Sequence, residues 1–172
     1  MNKEIEKVPS IKKLSDRAAI EYLLKRHSRG IDRLDLDCLL SSYWEDAQVD
    51  YGGFKGLAHD FVRKVIPSLG QKYKLTQHKI SNILITFNDQ EAFSEAYVTA
   101  YHLYKEEEKE MTYIGRYIDR LRFKDSLWKI SHRTAVMDWN NIRQVDQDLT
   151  GSFELLAKGS HFPEDPLYKQ LK

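Results

Sequence analysis

The sequence predicts an α+β domain in which three N-terminal helices pack on a long antiparallel meander. Three observations predict it. Helical apolar spacing is confined to the first 70 residues, and four segments rich in Tyr, Ile, Val, Thr and Phe fill residues 73–139. The separators between those segments are short and polar, which suits hairpins and leaves no room for crossover helices. The bulk numbers permit such a domain: 172 residues, 41% hydrophobic and 12% aromatic, with four Pro and eight Gly, are enough for one unit with a real core.

A polar leader, 1–13, precedes the first helix. Residues 15–29 carry Ala18, Ala19, Tyr22, Leu23 and His27 at near-helical spacing, with Ser15 or Asp16 as N-cap and Gly30 as the stop. A shorter helix is expected over 34–43, with Asp35 as its cap, so Ile31 and Asp32 fall in the joint between the two. Residues 47–51 alternate apolar and polar and run into Gly52-Gly53, a strand followed by a turn. Leu57, Phe61, Val65 and Leu69 give a third helical stripe, which Pro67 is expected to end. Strands follow over 73–87, 92–105, 111–123 and 128–139, separated by 88–90, 106–110 and 124–126. A sheet of this size with helices on one face can enclose a cavity. Beyond 140 the chain turns polar and irregular, and 141–172 reads as an extension packing on the body or on a neighbouring subunit.

Composition narrows the function. Lys plus Arg number 27 against 26 for Asp plus Glu, a net charge of +1, so nothing draws the chain generally to a polyanion and nucleic acid is not an expected partner. The single Cys38 excludes an intrachain disulfide and any Cys-based zinc cluster. Residues 1–13 lack the apolar stretch of a signal peptide, and no segment approaches a membrane span. A soluble, cytoplasmic protein without membrane partners is expected. There is no G-x-S-x-G, no P-loop, no G-x-G-x-x-G after a strand, and no His-x-x-His or Glu-x-x-His spacing, so neither a cofactor nor a metal is expected.

The period of two along strands groups the candidates for chemistry. Thr76, His78, Ile80 and Asn82 share one face; Ser94, Ala96, Val98, Ala100 and His102 share another; Tyr113, Gly115, Tyr117 and Asp119 share a third. Small residues beside polar ones leave room for a ligand. Imidazole titrates near neutrality, so His78 is the candidate base, with Asp32 as the carboxylate that fixes its tautomer. Each residue also has a plainer role. Asp32 can cap the following helix, Tyr51 can pack beside its turn, Tyr117 can fill core, and His102 can be a satisfied strand histidine. His27, His59, His132 and His161 show no partner pattern and read as structural or exposed.

The order of an Ala-rich first helix, Ile31-Asp32, the hairpin Val49-Asp50-Tyr51-Gly52-Gly53-Phe54, Thr76-Gln77-His78 with Asn82, Gly115-Arg116-Tyr117 with Asp119, and Trp128-Lys129-Ile130 before His132-Arg133 resembles the SnoaL-like branch of the nuclear-transport-factor-2-like superfamily. The likeness spans 14–139, is similar to scytalone dehydratase and hexachlorocyclohexane dehydrochlorinase within it, and makes 14–140 the SnoaL-like domain. It implies a cone-shaped barrel whose strongly curved, mostly antiparallel sheet encloses a pocket. It further implies a cofactor-free lyase, dehydratase-like, or an isomerase, with His78 and Asp32 as the catalytic pair. Tyr51, His102, Arg133, Asn82 and Tyr117 would bind a small hydrophobic, cyclic substrate, with Arg133 holding an anionic group, steadying Asp32 or serving as a structural ion-pair partner. Four positions depart from those relatives: Ile31 stands where the dehydratase has a tyrosine, Asp119 and Leu121 lie nearest its serine and asparagine, and His27 replaces a dehydrochlorinase lysine, which points away from dehalogenation. The alternative is a non-catalytic binding or assembly module. Apolar residues on both faces of the strands point to a homo-oligomer, with a trimer favoured over a dimer.

Overall fold

The computed structural model describes residues 8–171, so residues 1–7 of the expected leader lie outside it. The first helix, α1, runs Ile11–Asp32 and starts earlier than expected because Ser10 is its N-cap, its hydroxyl accepting from the Lys13 N–H. Its buried stripe is Ile20, Leu23, Leu24, His27 and Ile31, while Tyr22 is exposed. The branched residues outcompete the alanines for the core because they remove more apolar surface from water. Gly30 does not stop α1. It lets α2, Leu36–Leu40, approach so closely that a Cβ at Gly30 would lie 3.0 Å from the Leu39 backbone nitrogen.

Strand β1 is Tyr43–Asp50, β2 is Lys55–Leu57, and α3 is Ala58–Lys72. Helix α3 continues through Pro67, against expectation. That residue lies on the exposed side, where water can satisfy the carbonyl that loses its N–H partner. The meander follows as β3 Tyr73–Asn88, β4 Glu91–Tyr104, β5 Lys109–Lys124 and β6 Leu127–Gln144. The last strand extends four residues past the expected boundary at 140 because Asn141, Ile142, Arg143 and Gln144 pair with β5.

The six strands form one mixed, mostly antiparallel sheet in the order β2-β1-β6-β5-β4-β3, with β1 parallel to β6. The strongly curved sheet of the expected cone-shaped barrel is not what these strands build. Strands β2 and β3 are free edges, and β2 is only three residues long. Helices α1 and α3 cover one face instead, contacting β3 and β6, and β1 and β3, respectively. The core between the layers holds Ile20, Leu24, Leu39, Val62, Leu121 and Ile130, all essentially inaccessible. Each such side chain contributes about 1.5–3 kcal/mol of apolar burial. Trp128 pins the layers together, donating from Nε1 to Asp16 on α1 at 3.0 Å.

After β6 come the short helices α4 Ser152–Leu155 and α5 Pro166–Gln170. This segment folds back on the α1–α2 joint. The Phe162 N–H donates to the Arg33 carbonyl at 2.7 Å, and the Tyr168 hydroxyl donates to Asp35 at 2.8 Å. Among the described residues no helix is long and apolar enough to cross a membrane.

Candidate active site on the inner face of the sheet

Asp32 is the last residue of α1, buried to 6% exposure. Its carboxylate does not cap the next helix. Asp35 does that, accepting from the Cys38 N–H at 2.9 Å. Asp32 points at β3, where Oδ2 accepts the His78 backbone N–H at 2.8 Å and Oδ1 accepts the Thr76 hydroxyl at 2.8 Å and meets His78 Nδ1 at 2.6 Å. Two of these partners, Thr76 and the His78 ring, are alternate residues on one strand face, which is why the period-two reading groups them. Burial works to raise the Asp32 pKa, but the hydrogen bonds and charge of His78, together with Thr76, outweigh it and hold the group below its usual value. Asp32 is therefore an anion at neutral pH. It places the proton of neutral His78 on Nδ1 and leaves the Nε2 lone pair as the basic one.

His102 on β4 faces this pair, its ring centroid 5.5 Å from that of His78. Its Nδ1–H donates to the Ala100 carbonyl at 3.2 Å, so Nε2 is an acceptor. Burial, then the proximity of His78, lowers its pKa to about 4, and the ring is neutral at pH 7. Tyr51, just past β1, stacks on Phe61 with centroids 4.2 Å apart. Its hydroxyl is buried with no hydrogen-bond partner, as is that of Ser94 on β4. Unpaired buried hydroxyls are costly, and both of these lie on the side of the sheet that carries the dyad.

Of the expected positions, Asn82 needs correction, while Arg133 and Tyr117 take the structural roles also open to them. Asn82 is exposed, with φ of 48°, at the irregularity between Ser81 and Leu84 where β3 slips register against β4. The bulge reverses the alternation, so Ile83, Ile85 and Phe87 turn inward and Asn82 leaves the shared face. Arg133 does not steady Asp32. Its Nε and Nη2 both donate to Asp119, each at 2.7 Å, and the two side chains are 1% and 0% exposed. Burial works to lower the Arg133 pKa, but Asp119 outweighs it, and the guanidinium stays charged. Tyr117 packs its ring under that guanidinium at 4.1 Å and against Val98 and Ala100.

His27, read as structural or exposed, is structural and buried. Arg133 Nη1 lies 3.0–3.1 Å from its ring nitrogens, and its Nε2 lies 2.8 Å from the Tyr43 hydroxyl. Burial, then Arg133 and His78, lowers its pKa well below the usual value, so it is a neutral link between a fixed cation and a buried tyrosine. Its place on the stripe from Ile20 to Ile31 was the available signal. Among the described residues no group of three metal-ligating side chains occurs.

The sequence profile of the SnoaL-like domain matches residues 12–134. The chain belongs to the SnoaL-like domain family. Solved structures share the family fold. One, from Novosphingobium aromaticivorans and provisionally named scytalone dehydratase, is 26% identical with a TM-score of 0.70 over 81% of this chain and 97% of its own. A type 3 hexachlorocyclohexane dehydrochlorinase from Novosphingobium barchaimii is 21% identical, with a TM-score of 0.70 over 82% and 99%. A second Novosphingobium aromaticivorans protein, provisionally named an aromatic ring hydroxylase, is 23% identical, with a TM-score of 0.69 over 81% and 96%. A comparison with curated proteins gives no match. A shared fold does not itself set the reaction.

Proposed function

We propose that this SnoaL-like protein is a cofactor-independent lyase, dehydratase-like, or an isomerase, acting on a small hydrophobic cyclic substrate in a pocket between the helices and the sheet. The observation that carries the reading is the 2.6 Å contact of buried Asp32 with His78 Nδ1. Its effect is to leave Nε2 as a base beside a second, neutral imidazole. His78 Nε2 takes a proton from a carbon next to a carbonyl, and Asp32 stabilises the resulting imidazolium. In a dehydration the electron pair forms the new double bond while a hydroxyl leaves the neighbouring carbon, and the proton carried by His78 joins it as water. In an isomerisation the proton returns to another carbon. The unpaired Tyr51 hydroxyl donates to the carbonyl or the departing hydroxyl, and His102 Nε2 accepts from a substrate O–H. The names of the dehydratase and dehydrochlorinase relatives support elimination chemistry.

The test is a screen of hydroxylated cyclic ketones, following the absorbance of the conjugated product, with wild-type protein beside folded His78→Ala. Turnover that disappears in the variant supports the reading. Equal turnover by both refutes the mechanism. The second reading, a binding module, draws on the 5% exposure of the His78 side chain and expects a ligand held equally well by both proteins with no conversion. The outer sheet face exposes Leu84, Tyr97, Ile118 and Trp139, which supports a homo-oligomer, with a trimer proposed over a dimer. Light scattering at micromolar concentration tests it, and a monomer there refutes it.

A further inference from the structure

Away from the dyad, a cleft of about 660 Å³ opens between β1, the first turn of α3 and the β5–β6 hairpin. Its centre is the Trp44 indole, anchored by a hydrogen bond from Nε1 to the Arg122 carbonyl at 3.0 Å. Three cations surround that ring: Lys129 Nζ at 5.0 Å from the centroid, the Arg122 guanidinium carbon at 5.7 Å and Lys124 Nζ at 5.9 Å. An indole attracts each of them only modestly, and the three repel one another. Asp46 neutralises one, accepting from Arg122 Nη2 at 2.6 Å. Among the described residues no ion pair engages Lys124 or Lys129.

Two further nitrogens of the cleft are buried without a partner, Arg122 Nε and His59 Nε2. A guanidinium Nε–H can only donate, so what is missing beside it is an acceptor. The acids of the lining, Glu45, Asp46 and Asp125, are exposed, whereas Trp44, His59, Arg122 and Lys129 are partly buried. The floor is therefore rich in donors and positive charge, and the negative charge sits at the rim.

We propose that this cleft binds a small oxyanion, the carboxylate or phosphate group of an organic ligand. Lys129 and Lys124 donate to it and supply its counter-charge, and the Arg122 side chain turns its shielded Nε–H toward it on binding. None of these residues belongs to the Asp32–His78 site, so the proposal stands or falls separately from the proposed reaction.

The test is a titration of the isotopically labelled full chain with inorganic phosphate and, separately, with acetate, at constant ionic strength. It reads the Trp44 indole N–H and the His59 ring signals by NMR. A saturable shift with either anion, weakened about tenfold or more in Lys129→Ala and retained in His78→Ala, is the expected result. Lys124→Ala, at an exposed position, serves as the second variant if Lys129→Ala does not fold. Shifts that rise linearly and match those from sodium chloride, that survive loss of the lysine, or that disappear in His78→Ala overturn the proposal.

Discussion

Replacing Asp119 by Asn removes the only acidic partner that the described residues offer a fully buried guanidinium. Both Asp119 oxygens accept from Arg133 at 2.7 Å, and the pair is 1% and 0% exposed, so water cannot take over either role. Arg133 does not escape by losing its proton, because a guanidinium remains protonated in proteins. Its other neighbours do not compensate either: His27 is neutral and the Tyr117 ring attracts the cation only weakly. Breaking such a pair from one side costs about 3–5 kcal/mol, a large share of the roughly 5–15 kcal/mol that holds a domain together. Urea unfolding followed by circular dichroism measures it. Replacing both partners together, Asp119→Leu with Arg133→Met, removes two buried charges at once and is expected to cost well under the sum of the single losses. A folded Asp119→Asn protein within about 1 kcal/mol of wild type, a small fraction of the expected loss, would refute the reasoning.

Gly115→Ala is expected to destabilise by about 1–3 kcal/mol, because its Cβ would meet the Val136 carbonyl at 2.0 Å and the Tyr113 hydroxyl at 2.8 Å; an unchanged thermal midpoint contradicts this. Stability should also fall with pH in two stages. His102 keeps its proton off until about pH 4 in the folded chain, while the unfolded chain binds it near 6.5. Folding is therefore unaffected by this group above 6.5 and loses about 3 kcal/mol from there down to 4, at 1.36 kcal/mol per pKa unit. His27, lowered further in the same direction, adds to that loss. Asp32, lowered below 3.8, stabilises the fold above that pH, and its contribution is lost as pH falls through the folded value. Urea midpoints that stay level between pH 7 and 4 contradict the assignment of neutral buried histidines.

The placement of three helices ahead of the long meander was legible because a 3.6-residue stripe and short polar hairpin separators are local signals. The dyad was legible for a related reason: Thr76 and His78 are alternate residues of one strand, and Asp32 ends the helix that packs on it. What failed depended on contacts between strands. Asn82 was assigned inward by simple alternation, and the β3–β4 slip that turns it outward leaves no mark in its own sequence. Asp119 and Arg133 are direct cross-strand partners in the β5–β6 register, a relation that the separate strands do not announce. The strong curvature expected of the cone-shaped barrel is absent, since β1 joins β6 in parallel and β2 stops after three residues, leaving edges that the meander alone could not foretell.

The most direct test of the central claim is the turnover of one verified substrate by Asp32→Asn, His78→Ala and the double variant, each shown to be folded. If Asp32 works only by orienting and charging His78, each single change lowers kcat/KM by roughly 10²–10⁴, and the double variant is no slower than the worse single one. Wild-type turnover by His78→Ala, or losses that multiply in the double variant, would contradict the account.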